Sequence, residues 1–205
     1  MNPEPTDRPV ATVRRRRLQF VALALVFFGP LALAFWLYYG GVNPAGRVNR
    51  GTLVAPVRPL PAVALAAPSG TFGAAALRGK WSLVTFTGAH CEAVCARTLD
   101  ELGRARLALG RDDTRVRRVL FGARGCCTPA ETGGADGDLA VGWLEGAAGA
   151  ELAAAFAGLG AADEPAGRVY IVDPLGNLMM TYAPGTDLKN LIKDLEKLLR
   201  LSHIG

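Results

Sequence analysis

Four cysteines and one histidine are the residues of this chain best suited to chemistry, and they fall in two short stretches. GAHCEAVC (residues 88–95) holds His90, Cys91 and Cys95; ARGCC (residues 123–127) ends on Cys126 and Cys127. A thiolate is a nucleophile, a disulfide partner and a ligand for soft metals. Two cysteines four residues apart share one face of a helix, where their sulfurs can hold a soft ion or, with some adjustment, close a disulfide. Cys91 and Cys95 therefore read as a metal site, as a redox pair in which Cys91 attacks and Cys95 resolves, or as small core residues without turnover. Cys126 or Cys127 would resolve a disulfide at Cys91 or add a sulfur ligand; the plainer alternative is a structural disulfide joining the two stretches. His90 is within reach of a metal on Cys91, or simply solvated, and His203 reads as a helix-end cation.

These residues need elements to position them. WSLVTFT (residues 81–87) is a β-branched and aromatic run bounded by glycines, which predicts a buried strand. A helix follows from Cys91 to Leu109, with an apolar stripe through Cys95, Leu99, Leu102 and Ala105. Cys91 then lies near the helix N-terminus, where the dipole and unpaired N–H groups favour a thiolate. RRVLFGA (residues 117–123) predicts the next strand. If it runs parallel to and beside the first, both C-terminal ends open on the ligand edge of an α/β sheet, and GCC lies near HCEAVC.

Residues 128–149 read as a Gly-rich surface loop around an apolar patch at Leu139, Val141, Trp143 and Leu144, and Leu152, Phe156 and Leu159 mark a second helix. RVYIVDPLGNLMMTY predicts a hairpin of Val169 to Val172 and Leu178 to Tyr182, with Gly176 at positive φ. A last helix is expected from Thr186 as N-cap to Leu201. Helices separate the strands in the first half and an antiparallel pair lies near the end, which suits a thioredoxin-like α/β sandwich with a mixed sheet.

The address comes from LQFVALALVFFGPLALAFWLYY, residues 18–39, a run without a charge. As a helix it spans roughly 33 Å, enough for one transmembrane crossing, and it exceeds the apolar region of about 7–15 residues in a cleaved signal peptide. Arg14 to Arg17 precede it, which places residues 1–17 as a cytoplasmic tail. Residues 40–61, rich in Gly and Pro, read as a tether, and residues 62–205 as the folded domain. Arginine outnumbers lysine 19 to 4, pointing to a GC-rich bacterial genome. The anchor then sits in the bacterial inner membrane, and the cysteines lie in the periplasm, where disulfides persist. Of the net charge of +5, the tail carries five basic and two acidic residues, and the remaining +2 is no nucleic-acid footprint. The sequence contains no P-loop, Rossmann fingerprint, HExxH or GxSxG motif.

With the anchor, the CxxxC pair at Cys91 and Cys95, LPAVALAAPSGTFGAAALRGKWSLVTFTG and VYIVDPLGNL, the chain resembles the SCO/SenC family over residues 61–182. That family comprises membrane-anchored thioredoxin-fold proteins that help assemble the copper centre of cytochrome c oxidase. The resemblance implies Cu(I) held by Cys91 and Cys95, with an oxidase subunit or copper carrier protein as partner, or reduction of that subunit's copper-ligand cysteines. The family's third ligand is a histidine whose place falls near Pro165, yet no histidine occurs from residue 91 to 202. The family's proline between the cysteines is also replaced, by EAV. Thioredoxin-type reductases carry CxxC and a proline before the late strand. Here the spacing is CxxxC and Gly167 precedes Arg168, which counts against general disulfide exchange. A non-catalytic assembly scaffold with structural cysteines is the third alternative.

Overall fold

The computed structural model describes residues 10–40, 49–68, 70–127, 139–159, 167–202 and 204. The chain divides into two compact units, Met1–Val48 and Asn49–Gly205. The first contains helix α1, Val10–Tyr39, with Pro30 inside it. Its segment Arg15–Tyr39 is long and apolar enough to cross a membrane, and its large apolar side chains are exposed. The helix begins well before the uncharged run, so the four arginines are helical too.

The second unit is a mixed sheet with helices on both faces. Its strands are β1 (Thr52–Pro59), β2 (Ala64–Ala67), β3 (Gly70–Gly73), β4 (Trp81–Phe86), β5 (Val116–Gly122), β6 (Leu139–Trp143), β7 (Val169–Val172) and β8 (Asn177–Tyr182). They lie in the order β1-β8-β7-β4-β5-β6-β2-β3. β4 pairs parallel with β5, β5 pairs parallel with β6, and the other pairings are antiparallel. The helices are α2 (Ala93–Ala108), α3 (Gly146–Ala155) and α4 (Leu188–Leu201).

Covering a sheet on both faces turns its central strands into continuous apolar runs. Accordingly, five of the six residues of β4 are buried. Leu83 faces one layer with Ile171, Met180, Leu102 of α2 and Leu195 of α4. Its neighbour Val84 faces the other with Val119, Tyr170 and Leu152 of α3. The period of two along each strand thus sorts the core into two clusters.

The thioredoxin-like mixed sandwich and the parallel β4–β5 pair match the expectation from sequence, and Gly176 turns the late hairpin at φ +90°. Four details differ. The stretch read as a tether contains β1, whose Val54 is buried, so the folded unit begins at Asn49 and not at residue 62. Pro56 and Pro59 hide this strand in the sequence, and β1 tolerates them because it lies at the sheet edge. Leu139–Trp143 is strand β6, not part of a loop, and residues 146–149 of the predicted loop begin α3; residues 128–138 lie outside the described residues. α3 ends at Ala155, so Phe156 is its C-cap and Leu159 lies beyond it. Finally, Asp187 caps α4 by accepting from the Lys189 N–H at 2.9 Å, while the Thr186 hydroxyl donates to the Ala183 carbonyl.

Candidate redox and metal site

β4 and β5 end side by side, with Phe86 opposite Phe121. The loops that leave them continue the pairing beyond the strands. The Thr87 N–H donates to Phe121 O at 2.8 Å, the Ala123 N–H to Gly88 O at 3.4 Å, and the Cys91 N–H to Cys126 O at 3.0 Å. The Thr87 hydroxyl donates to the His90 carbonyl at 2.8 Å and closes the turn that delivers Cys91. Gly122 leaves room for side chains of both loops: a Cβ there would lie 2.6 Å from Thr87 Cγ2 and 2.9 Å from Cys126 Sγ. GCC and HCEAVC are therefore backbone neighbours on one sheet edge.

Cys91 stands just before the first helical residue, Ala93, and Cys95 lies in the first turn of α2. The two form a disulfide with Cα atoms 5.2 Å apart. Cys126 and Cys127 are outside it, so the bridge joins the ends of one motif and not the two loops. The bonded pair is sheltered: Cys91 is 6% exposed and Cys95 1%. Both pack with Leu99 and Leu120, and half-buried Cys127 packs against this cluster with Leu139 and Val141 of β6. Cys126 is 2% exposed and directs its sulfur towards Gly122.

A sulfur bonded to another sulfur is no thiolate, so the closed pair offers nothing to a metal; two-electron reduction is what would create two soft donors. Among the described residues, no three His, Cys, Asp or Glu side chains gather into a metal cage. His90 is exposed, and its carbonyl accepts from the Thr87 hydroxyl. Pro165, where the family histidine would fall, and His203 lie outside the described residues.

Gly167 sits against the middle of the motif at φ +115°, with Val94 Cγ1 3.0 Å from where its Cβ would be. A side chain at this left-handed position would meet both backbone strain and Val94. Beside Val94, a cavity of about 330 Å³ opens between α2, α4 and Gly167, with Arg97, Glu101 and Tyr182 in its wall. On the other flank, Arg124 forms a two-pronged ion pair with Glu145 at 2.8 and 2.6 Å and lies 4.5 Å above the Trp143 ring. This pins the loop carrying Cys126 and Cys127 to the end of β6. Sequence reasoning missed this pin because 21 residues separate the partners, and it missed Gly122 because close approach leaves no local signal.

The Arg124 hydrogen bond, followed by its charge, holds the Glu145 carboxyl below the usual carboxylate range. The pin is thus intact above the unfolded value of about 4.3 and is lost as pH falls through the lower folded value. A carboxyl-carbon NMR titration should show a depressed midpoint for Glu145 that moves up in Arg124→Gln. An ordinary midpoint in the unmutated protein would remove the pin.

The profile of the family described as transmembrane-like, thioredoxin-like, C-terminal domain matches residues 81–202, more than half of the chain. Among solved structures, the apo Sco1 protein of Thermus thermophilus is similar at 21% identity and TM-score 0.55, covering 75% of this chain and 99% of its own. Copper-bound yeast Sco1 is similar at 15% identity and TM-score 0.56, covering 77% and 96%. The thioredoxin domain of a thiol-disulfide oxidoreductase from Bacteroides vulgatus is similar at 17% identity and TM-score 0.51, covering 71% and 99%. At such identities the likeness is one of fold. No curated protein matches the sequence.

Proposed function

Because the chain belongs to the family of transmembrane-like, thioredoxin-like C-terminal domains, we propose that it is a membrane-anchored accessory protein for assembling the copper centre of a respiratory oxidase. It acts through interconversion of a disulfide and a dithiol at Cys91 and Cys95. The single observation that carries this reading is the closed Cys91–Cys95 bond at the mouth of a strand-to-helix turn on a thioredoxin-like fold. In the reduced form, the Cys91 thiolate attacks a disulfide between two copper-ligand cysteines of the client, and one client cysteine leaves as a thiolate. The Cys95 thiolate then attacks Cys91 in the mixed disulfide, which releases the second client cysteine and re-forms Cys91–Cys95. The client gains two electrons, and a dithiol reductant of the same compartment restores the pair. A client segment carrying those cysteines would lie in the cavity beside Val94.

A second reading has its own support in the fold shared with copper-bound yeast Sco1. Once reduced, Cys91 and Cys95 offer adjacent soft thiolates suited to Cu(I) as cargo, with His90 as the nearest further donor. The partner is then an oxidase subunit or a copper carrier protein. In either case the anchor sits in a bacterial inner membrane, with the N-terminus cytoplasmic and the folded domain periplasmic, as the arginines before the apolar run suggest.

The test uses the full chain in detergent. Equilibration in glutathione buffers should interconvert Cys91–Cys95 and two thiols, and the reduced chain should reduce an oxidised peptide bearing an oxidase subunit's copper-ligand cysteines. Cys91→Ser should abolish that reduction, and Cys95→Ser should abolish the Cys91–Cys95 bond that accompanies it. Binding of about one Cu(I) per reduced chain, lost in both variants, supports the cargo reading. Neither reduction nor binding leaves a scaffold with a structural disulfide.

A further inference from the structure

The bonded pair is nearly inaccessible, with Cys91 6% and Cys95 1% exposed, whereas thiol–disulfide exchange requires in-line approach of a thiolate to sulfur. A partner outside the protein therefore meets Cys91–Cys95 poorly. Cys127 differs from both. It is half-buried, it packs against the cluster of Cys91, Cys95, Leu99 and Leu120, and it directly follows the residue whose carbonyl accepts from the Cys91 N–H. Cys126 lacks this placement, because its sulfur is turned towards Gly122. The Arg124–Glu145 pin and Gly122 hold the loop that carries Cys127 in this position.

We propose that Cys127 is the exchange thiol through which electrons enter the buried pair. This inference rests on the Cys91–Cys95 couple proposed above. The Cys127 thiolate attacks Cys91 Sγ, the sulfur nearest along the backbone pairing. A Cys127–Cys91 bond forms, the Cys91–Cys95 bond breaks, and Cys95 leaves as a thiolate and takes up a proton equivalent to the one Cys127 gave up. No net oxidation occurs; the step moves one end of the disulfide from a sheltered position to a half-exposed one. A dithiol reductant then attacks at Cys127, its second thiol completes its own disulfide, and Cys91, Cys95 and Cys127 are left as thiols.

The experiment follows reduction of the full chain by dithiothreitol in detergent, quenched with acid and alkylated, with linkages mapped by mass spectrometry. Cys127→Ser and Cys127→Ala should slow reduction of Cys91–Cys95 by about tenfold while leaving its equilibrium potential unchanged, since access and not bond stability is altered. Cys126→Ser should keep the original rate. In Cys95→Ser, where the normal bond cannot form, oxidation should yield a Cys91–Cys127 crosslink. Unchanged rates in both Cys127 variants, or a Cys95→Ser protein without that crosslink, would overturn the exchange role and leave the couple standing. A pair that never equilibrates with glutathione would overturn the couple, and the exchange role with it.

Discussion

Asp194→Ala is expected to destabilise the folded unit by about 3 kcal/mol in urea unfolding. Asp194 is 3% exposed, and its Oδ2 accepts from the Tyr182 hydroxyl at 2.7 Å, the Arg50 N–H at 2.8 Å and the Gly51 N–H at 3.0 Å. This one oxygen ties the start of the folded unit to β8 and α4. Alanine leaves three donors without their acceptor, and part-buried donors recover only some of the loss from water. Asp194→Asn keeps an acceptor and should cost less; Tyr182→Phe removes one bond and should cost about 1 kcal/mol. Asp194→Ala and Tyr182→Phe should be non-additive in a double-mutant cycle, because they dismantle one network. Burial, and then Asp194, push the Tyr182 phenol far above its usual range. Its contribution is thus fully present below the unfolded value of about 10 and is lost only as pH rises above that. A loss under 1 kcal/mol in Asp194→Ala would show that the network adds little.

The parts of this structure that sequence reveals are those in which local pattern and tertiary role coincide. β4 is an unbroken apolar run because both of its faces are covered, and α2 shows a stripe because only one of its faces is. Their order sufficed to place the two cysteine stretches on one edge, which the Cys91–Cys126 hydrogen bond reflects. Where role and pattern diverge, the reading fails. β1 is an edge strand carrying two prolines and looks like a tether, and β6 is five residues long after a Gly-rich stretch. The site divides in the same way. Spacing brings Cys91 and Cys95 within bonding reach, but which of two consecutive cysteines faces them depends on loop geometry, set by Gly122 and by an ion pair across 21 residues. No periodicity in a turn says which of two adjacent residues faces a cluster.

Gly122→Ala should show how tightly that geometry is held. The backbone of Gly122 lies outside the left-handed region, so the cost of the methyl group is steric. It would lie 2.6 Å from Thr87 Cγ2, 2.9 Å from Cys126 Sγ and 3.3 Å from Cys126 Cβ, and these groups belong to the two loops whose approach defines the site. Relief requires either that β5 draw back from Thr87, stretching the 2.8 Å bond to Phe121 O, or that the Cys126 loop swing out, stretching the 3.0 Å bond from Cys91. Overpacking of this kind costs about 2 to 3 kcal/mol. The Cys91 amide should also exchange its hydrogen faster, because its acceptor moves away. Thr87→Ser removes Cγ2 while keeping the hydroxyl that bonds His90, and Cys126→Ala removes the sulfur. Combined with Gly122→Ala, the two should recover at least half of the lost stability, since they delete the clashing atoms without touching the backbone pairing. If Gly122→Ala unfolds at the original urea midpoint and leaves Cys91 amide exchange unchanged, the loops have room between them. The close pairing that brings Cys127 against the buried disulfide would then lose its support.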